Sequence, residues 1–226
     1  MVFTGFGAPT RRSTNSPNTQ EVYDLMGKDY NGYWGWQDGE KRSERVRNFH
    51  EPIAMLTHHW NISNLTKLTT SVAYQFGKDS RSRLDWYRAN NPSPLYYRNL
   101  PSYYIFSGAS QDKINEVIYA WKNDQNYSQL DWTDIYNQNY NRGKGGAAYV
   151  LAGDVNEDRT MSFNSNLKTK FSDNIDFIAA ISYQNTTAEY YKEVIDLLGG
   201  NHFVNMNSYD NFSYDMSGDV RDAEGN

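Results

Sequence analysis

The chain contains no cysteine. That excludes disulfide staples and thiolate-bound metal, while leaving the compartment open, since many exported bacterial proteins lack cysteine too. Nowhere does an apolar run approach the ~20 residues that a membrane-crossing helix needs. The opening stretch MVFTGFGAPTRRSTN has no basic segment followed by an apolar one, so it does not read as a secretory signal. Charge is nearly balanced, at −5 over 226 residues, which gives no pull towards nucleic acid. Hydrophobic residues make up only 38 %, too few for a compact enzyme built on a Leu/Val/Ile core. What is abundant is aromatic: 19 Tyr, 10 Phe and 6 Trp, or 15 % of the chain, which argues against simple disorder. An ordered, polar, aromatic-rich β protein is the expectation.

The strongest local signal has period two. In IDFIAAISYQNTT (175–187) the odd positions read Ile175, Phe177, Ala179, Ile181 and Tyr183, against Asp176, Ser182, Gln184 and Thr186 among the even ones. Side chains alternate across a strand, so one face is largely apolar and the other small and polar. TMSFNSNLKTKF (160–171) does the same with Met161, Phe163, Leu167 and Phe171, and the three residues Ser172, Asp173 and Asn174 between the two segments suit a tight turn. Upstream, LTTSVAYQFGK (68–78) places Leu68, Thr70, Val72, Tyr74 and Phe76 on one face. IAMLTHHW (53–60) is its partner across the polar turn 61–67. Two hairpins, 53–78 and 160–187, are therefore predicted.

Long and short connections alternate strictly around them, with residues 8–51, 79–159 and 191–226 as long loops. Soluble sandwiches show turn signals every ~8–12 residues and few long loops. Outer-membrane barrels combine short periplasmic turns, long extracellular loops and strands of ~10 residues with apolar-out, polar-in alternation. The polar face here, mainly Ser, Thr, Asn, Gln and Ala, suits a hydrated barrel interior, and a thin row of Ile, Phe, Leu, Met and Tyr suffices to meet lipid tails. The predicted fold class is all-β, an antiparallel meander forming part of a transmembrane β-barrel, with one or two short helices in its long loops. Leu68, Val72, Tyr74, Phe76, Met161, Phe163, Leu167, Phe171, Ile175, Phe177, Ile181 and Tyr183 are the expected lipid-facing residues.

The block from Asp29 to Tyr104 carries WGWQDGEKR, then HEP, a hairpin ending YQFGK, and DWYRANNPSPLYYRNLPSYY. In that order it resembles TonB-dependent outer-membrane receptors, of the group whose plug follows a carboxypeptidase-like regulatory domain. GAPTRR, EDRTMSFNSN and YYKEVIDLLGG are similar to segments of the same barrels, so the likeness spans residues 3 to about 200. The resemblance implies an active transporter and receptor of the cell outer membrane in Gram-negative bacteria, taking up scarce ligands with energy relayed by TonB. It also implies partners: outer-membrane lipid, the rest of the barrel with its plug, the TonB complex acting through that plug, and a surface lipoprotein. No cofactor, metal, nucleic acid or catalytic activity is expected.

Departures from the family pattern are equally plain. No plug, no TonB box and no final strand ending in an aromatic residue is legible, and four strands are visible where such barrels have about twenty-two. The chain is expected to be one partial barrel domain over 1–226, an internal piece not functional alone, because an open segment exposes strand edges that lipid cannot satisfy.

Chemical motifs are few. SQDKINEVIYAWKNDQ (110–125) predicts a loop helix capped by Ser110, with Ile114, Val117, Ile118 and Trp121 on one face, and YSQLDWTDIYNQ suggests a second. Asp154, Asn156 and Asp158 in DVNEDR match the first calcium-loop ligands, but Arg159 stands where Gly is needed and Ser165 where Glu is, so a solvated loop is the better reading. His58 and His59 are adjacent and point to opposite faces of a strand, so they cannot chelate one ion together. GKGGAAYVLAGD lacks the phosphate-binding template, and the five N-x-S/T triplets carry no assigned glycosylation. The aromatic loop residues Trp34, Trp36, Trp86, Tyr87, Tyr96 and Tyr97 are candidate ligand contacts, as stacking surfaces, or else the internal packing of long loops. The alternative to the barrel is a secreted soluble β-domain that binds glycans through these Trp/Tyr-rich loops.

Overall fold

The computed structural model describes residues 1–143, 146–205 and 218–219. Strands hold 49 % of the chain and helices 22 %, so the fold is predominantly antiparallel β. In chain order come β1 (Val2–Phe6), β2 (Thr10–Ser13), α1 (Gln20–Met26), β3 (Trp34–Gln37), β4 (Glu40–Ser43), β5 (Val46–His50), β6 (Ile53–Asn61) and β7 (Thr66–Trp86). Then follow α2 (Pro101–Phe106), α3 (Gln111–Asn123), α4 (Gln125–Ser128), α5 (Trp132–Arg142), β8 (Tyr149–Ser172), β9 (Ile175–Asp196) and the short pair β10 (Val204–Asn205) and β11 (Gly218–Asp219). The chain divides into two compact units. One comprises Met1–Arg12, Arg47–Ser80 and Asp154–Lys192, the other Ser13–Val46, Arg81–Gly153 and the rest of the chain from Glu193.

The first unit is an open sheet. Its strands run in the order β1–β6–β7–β8–β9, with β5 pairing β7 beyond β6 and β2 pairing β5. Val2 pairs with Thr57 and Phe6 with Ile53, while Ile53 pairs with Gln75 and Asn61 with Lys67. Hydroxyls extend the register: Thr70 meets Ser165 at 3.0 Å, Thr66 meets Thr169 at 2.7 Å, and Thr160 meets Thr186 at 3.0 Å. With period two, these contacts put the even residues of β7, the odd residues of β8 and the odd residues of β9 on one face. Among the described strands the sheet does not close, since β1 pairs only with β6 and β9 only with β8. Burial is nearly absent. Among the described residues, every buried hydrophobic residue lies in the second unit except Val155.

The expected strand ends were too short. β7 continues past Lys78 to Trp86, β8 begins at Tyr149 rather than Thr160, and β9 runs to Asp196 rather than Thr187. DSRSRLDW hides its strand because one face is wholly charged and the other opens with Ser80 and Ser82, leaving only Leu84 and Trp86 as an apolar row, and YVLAG hides one because all five residues are buried, leaving no alternation to read. The loops expected over 8–51 and 79–159 therefore also contain strands β2 to β5 and the extensions of β7 and β8. β1 was missed outright, and the part of the 191–226 loop past residue 205 falls outside the described residues except for 218–219.

The second unit has a conventional core in three clusters. Leu84, Leu130, Trp132, Ile135, Leu151 and Leu198 anchor the first; Val22, Tyr30, Leu100, Val117 and Trp121 the second; Ala147, Val150 and Phe203 the third. Helix α3 forms where expected. Ser110 Oγ accepts from the Lys113 N–H, and Ile114, Val117 and Trp121 are buried at helical spacing. The second helix splits in two, because the side chain of Asp131 caps α5 afresh after Leu130 has turned inward. Asn139, 2 % exposed, is the hub of this unit. Its Oδ1 accepts from the Ala148 and Tyr149 N–H groups at 2.7 and 2.9 Å, and its Nδ2 donates to the carbonyls of Tyr149, Leu197 and Leu198.

Candidate functional site

In the sheet unit, Leu68, Val72, Tyr74, Phe76, Phe163, Leu167, Ile175, Phe177, Ile181 and Tyr183, with Met161 and Phe171, occupy a single face by the register above. Neighbouring strands add to it, since Leu56 pairs with Val72, Trp60 with Leu68 and Phe3 with Leu56. Most of its large residues are exposed: Tyr74 and Phe76 at 44 %, Ile181 at 64 %, Phe171 at 79 %. Tyr74 and Phe76 stack at 5.4 Å. The opposite face carries small polar contacts, with Thr57 Oγ1 3.0 Å from Ser71 Oγ and His59 Nδ1 3.2 Å from Thr69 Oγ1. An apolar face of this extent without covering side chains is a surface made for an apolar neighbour.

The six loop aromatics do not converge. Trp34 and Trp36 sit on the β3–β4 hairpin, edge to face at 5.7 Å, with Lys41 Nζ 4.3 Å from the Trp34 ring centre. The hairpin turns at Asp38-Gly39, both at positive φ (51° and 84°), as a two-residue turn of the primed type requires. Gly35 has no room for a side chain: a Cβ there would lie 1.8 Å from the Leu130 carbonyl oxygen. Tyr96 and Tyr97 meet at 4.8 Å, continuing through Tyr103 to Tyr104, and Arg98 Nε donates to the Tyr97 hydroxyl at 3.0 Å. That bond holds the Tyr97 phenol below its ordinary range. Tyr87 packs against the third cluster, its N–H donating to the Ala148 carbonyl. Among the described residues no ring contact joins these pairs, so the aromatics serve chiefly as local packing.

Trp86 borders something different. With Pro17, Tyr33, Glu44, Arg45, Leu84 and Leu95 it lines an open cavity of about 300 Å³. Glu44 is 6 % exposed; its Oε2 accepts from the Leu84 N–H at 2.8 Å, and Arg45 Nε lies 3.6 Å from Oε1. Burial pushes its carboxyl up, opposed by the Leu84 hydrogen bond and the Arg45 charge. Nearby in sequence, Arg42 donates to Gln37, Tyr136 and Asp196 at 2.7, 3.1 and 2.6 Å and lies over the Trp132 ring at 4.4 Å. Desolvation favours the neutral guanidine, but the bonds to Asp196 and Tyr136 outweigh it and raise the Arg42 pKa. Neither acidic group was singled out from sequence. The Asp-Gly turn between two short aromatic and charged runs was a signal that could have drawn attention to Arg42 and Glu44 just after it.

The motif candidates disperse as their backbone dictates. Asp154, Asn156 and Asp158 lie in extended β8, which spreads their side chains along the strand instead of curling them round an ion. His58 pairs with Thr70 and His59 with Thr69, on opposite faces. No group of three or more potential metal ligands converges among the described residues. No helix of the described residues is long and apolar enough to cross a membrane, a statement that leaves β-barrels untouched. No family model matches the chain, and neither a curated protein nor a solved structure matches it.

Proposed function

We propose that the chain is a stretch of the wall of an outer-membrane β-barrel of the TonB-dependent receptor type, serving energised ligand uptake as part of a larger barrel with a plug. The observation that carries this reading is the coreless sheet unit, with most of its large apolar residues in register on one exposed face and Thr57, His59, Thr69, Ser71 and Gln75 on the other. β6 has 9 residues, matching the ~9–11 of a tilted membrane strand. Trp60 and Phe171 stand beside the short turns, while Tyr74 and Phe76 stand towards the opposite end, as interfacial aromatic girdles do. The short turns at 62–65 and 173–174 then face the periplasm, and the long connections with their helices face outwards. In hydrocarbon the edge N–H and C=O groups of β1 and β9 pair with further strands, those of the complete barrel or, where this chain is reconstituted alone, those of other copies.

The absence of cysteine makes the test direct. A fluorophore on Val72→Cys should be quenched by brominated lipid in reconstituted vesicles, and one on Ala73→Cys should not. Equal response at both positions, or a water-soluble monomer that ignores vesicles, would sink the barrel reading in favour of the soluble glycan-binding domain.

A further inference from the structure

The apolar face of the sheet unit ends, at its end away from the short turns, in a basic cleft that packing within the sheet does not explain. Period two along β7 carries Tyr74 and Phe76 on to Lys78 and then Ser80. These two residues line a cleft of about 340 Å³ together with Arg11, Asn48, Phe49 and His50. Lys78 lies one pleat beyond Phe76, or ~7 Å at ~3.4 Å per residue. That depth is where headgroup phosphates sit if the apolar face meets lipid tails.

The charge is unbalanced in the right sense. Lys78 Nζ donates to the Tyr191 hydroxyl at 2.8 Å and lies 3.2 Å from Glu157 Oε2, while Arg159 holds Glu157 Oε1 at 2.7 Å. Glu157 therefore serves two cations at contact distance, with Glu189 acting on Arg159 from further off. Arg11 is exposed and has no carboxylate at ion-pair distance among the described residues, and His50 beside it is exposed as well. The side chains of Asn48 and Ser80 add neutral donors. By contrast Arg47, which lines a separate cleft with Thr10, Arg12 and Phe49, is committed in both arms of its guanidinium to Asp79 at 2.8 and 2.7 Å.

We propose that Arg11, His50 and Lys78, with Asn48 and Ser80, bind the phosphate of an anionic lipid headgroup at the outward edge of the apolar face. This rests on the membrane reading above. Charge complementarity and continuity with the apolar face both select a lipid: the phosphate meets Arg11 and Lys78 while the acyl chains lie along Phe76, Tyr74 and Val72. A cation near an anionic membrane surface adds about five-fold in affinity, so loss of two should cost about twenty-five-fold.

The test reconstitutes the full chain in phosphatidylcholine vesicles with and without phosphatidic acid, and counts lipids retained on extraction by native mass spectrometry. Selective retention of phosphatidic acid is expected, reduced about twenty-five-fold in apparent affinity by Arg11→Gln with Lys78→Gln and unchanged by Arg12→Gln. Equal retention of the two lipids by an inserted chain overturns the lipid site and leaves the membrane reading standing. Failure to enter either vesicle overturns the membrane reading and the site with it. Displacement of phosphatidic acid by dilute inorganic phosphate identifies a free-anion site and overturns the assignment to lipid.

Discussion

Arg42 donates to the Asp196 carboxylate at 2.6 Å, joining positions 154 residues apart, while its guanidinium lies over Trp132. The pair is only partly screened, with side-chain exposures of 24 % and 35 %. Tyr136 donates to the same Asp196 oxygen at 3.3 Å, and Trp132 Nε1 donates to the Arg42 carbonyl. Arg42→Ala removes the ion pair, three hydrogen-bonded partners and the ring contact together. It should lower stability by about 2–4 kcal/mol, with Arg42→Lys losing less but well short of neutral, since an ammonium cannot reproduce the fork. Urea unfolding followed by Trp fluorescence checks this, and a double-mutant cycle with Asp196→Asn isolates the pair.

Asn139 is a second load on few atoms. Truncation to Ala leaves two backbone N–H groups and three carbonyls without their side-chain partner in a site 2 % exposed. A loss of about 3–5 kcal/mol is expected, and Asn139→Asp should also destabilise because a carboxylate cannot donate to the three carbonyls. Thermal melting measures both.

Two glycines separate steric from conformational cost. Gly35→Ala drives a methyl into the Leu130 carbonyl oxygen at 1.8 Å and should cost about 3 kcal/mol or more. Gly39→Ala meets nothing within 4 Å but keeps a φ of +84°, so about 1–2 kcal/mol is expected. Reversal of that order in chemical denaturation would contradict the close approach of β3 to Leu130.

Glu44 sets a pH dependence. Burial raises its folded-state pKa above the unfolded value, so the folded protein binds the proton more tightly. Stability contributed by this group is fully present below the unfolded carboxylate pKa and is lost as pH rises from there through the raised folded value. Glu44→Gln keeps an acceptor for the Leu84 N–H and should flatten that part of the stability–pH curve. An unchanged slope in the variant would show that the carboxyl does not titrate upward.

The two faces of β7 predict opposite responses. Val72→Arg places charge on the apolar face and should cost about 2–4 kcal/mol of folding stability in lipid vesicles, while Ala73→Arg on the polar face should cost far less. Equal costs would remove the distinction between the faces.

Period two was legible wherever one face was apolar and the other was not. The alternation at Leu68–Phe76, Met161–Phe171 and Ile175–Tyr183 therefore located three strands, their turns and their common face. Helix α3 was legible for a similar reason, through a cap at Ser110 and a 3.6-residue stripe. Where no clear apolar row stood against a polar one, the pattern was lost: Asp79–Trp86 sets a charged face against Ser80, Ser82, Leu84 and Trp86, Tyr149–Gly153 is buried on both sides, and VFTGF of β1 is too short to show a period. The split into two units, the Arg42–Asp196 pair and the five bonds of Asn139 depend on residues far apart in the chain, which local sequence does not encode.

Alternation alone thus determined that this protein makes antiparallel strands with an apolar and a polar side, because a side chain's face follows from its parity. Only the tertiary structure decided that the intervening segments build the core, because burial depends on which distant residues come to pack. It also decided that a basic cleft continues the apolar face, since Arg11, His50 and Lys78 come from three separate strands that only the sheet brings together.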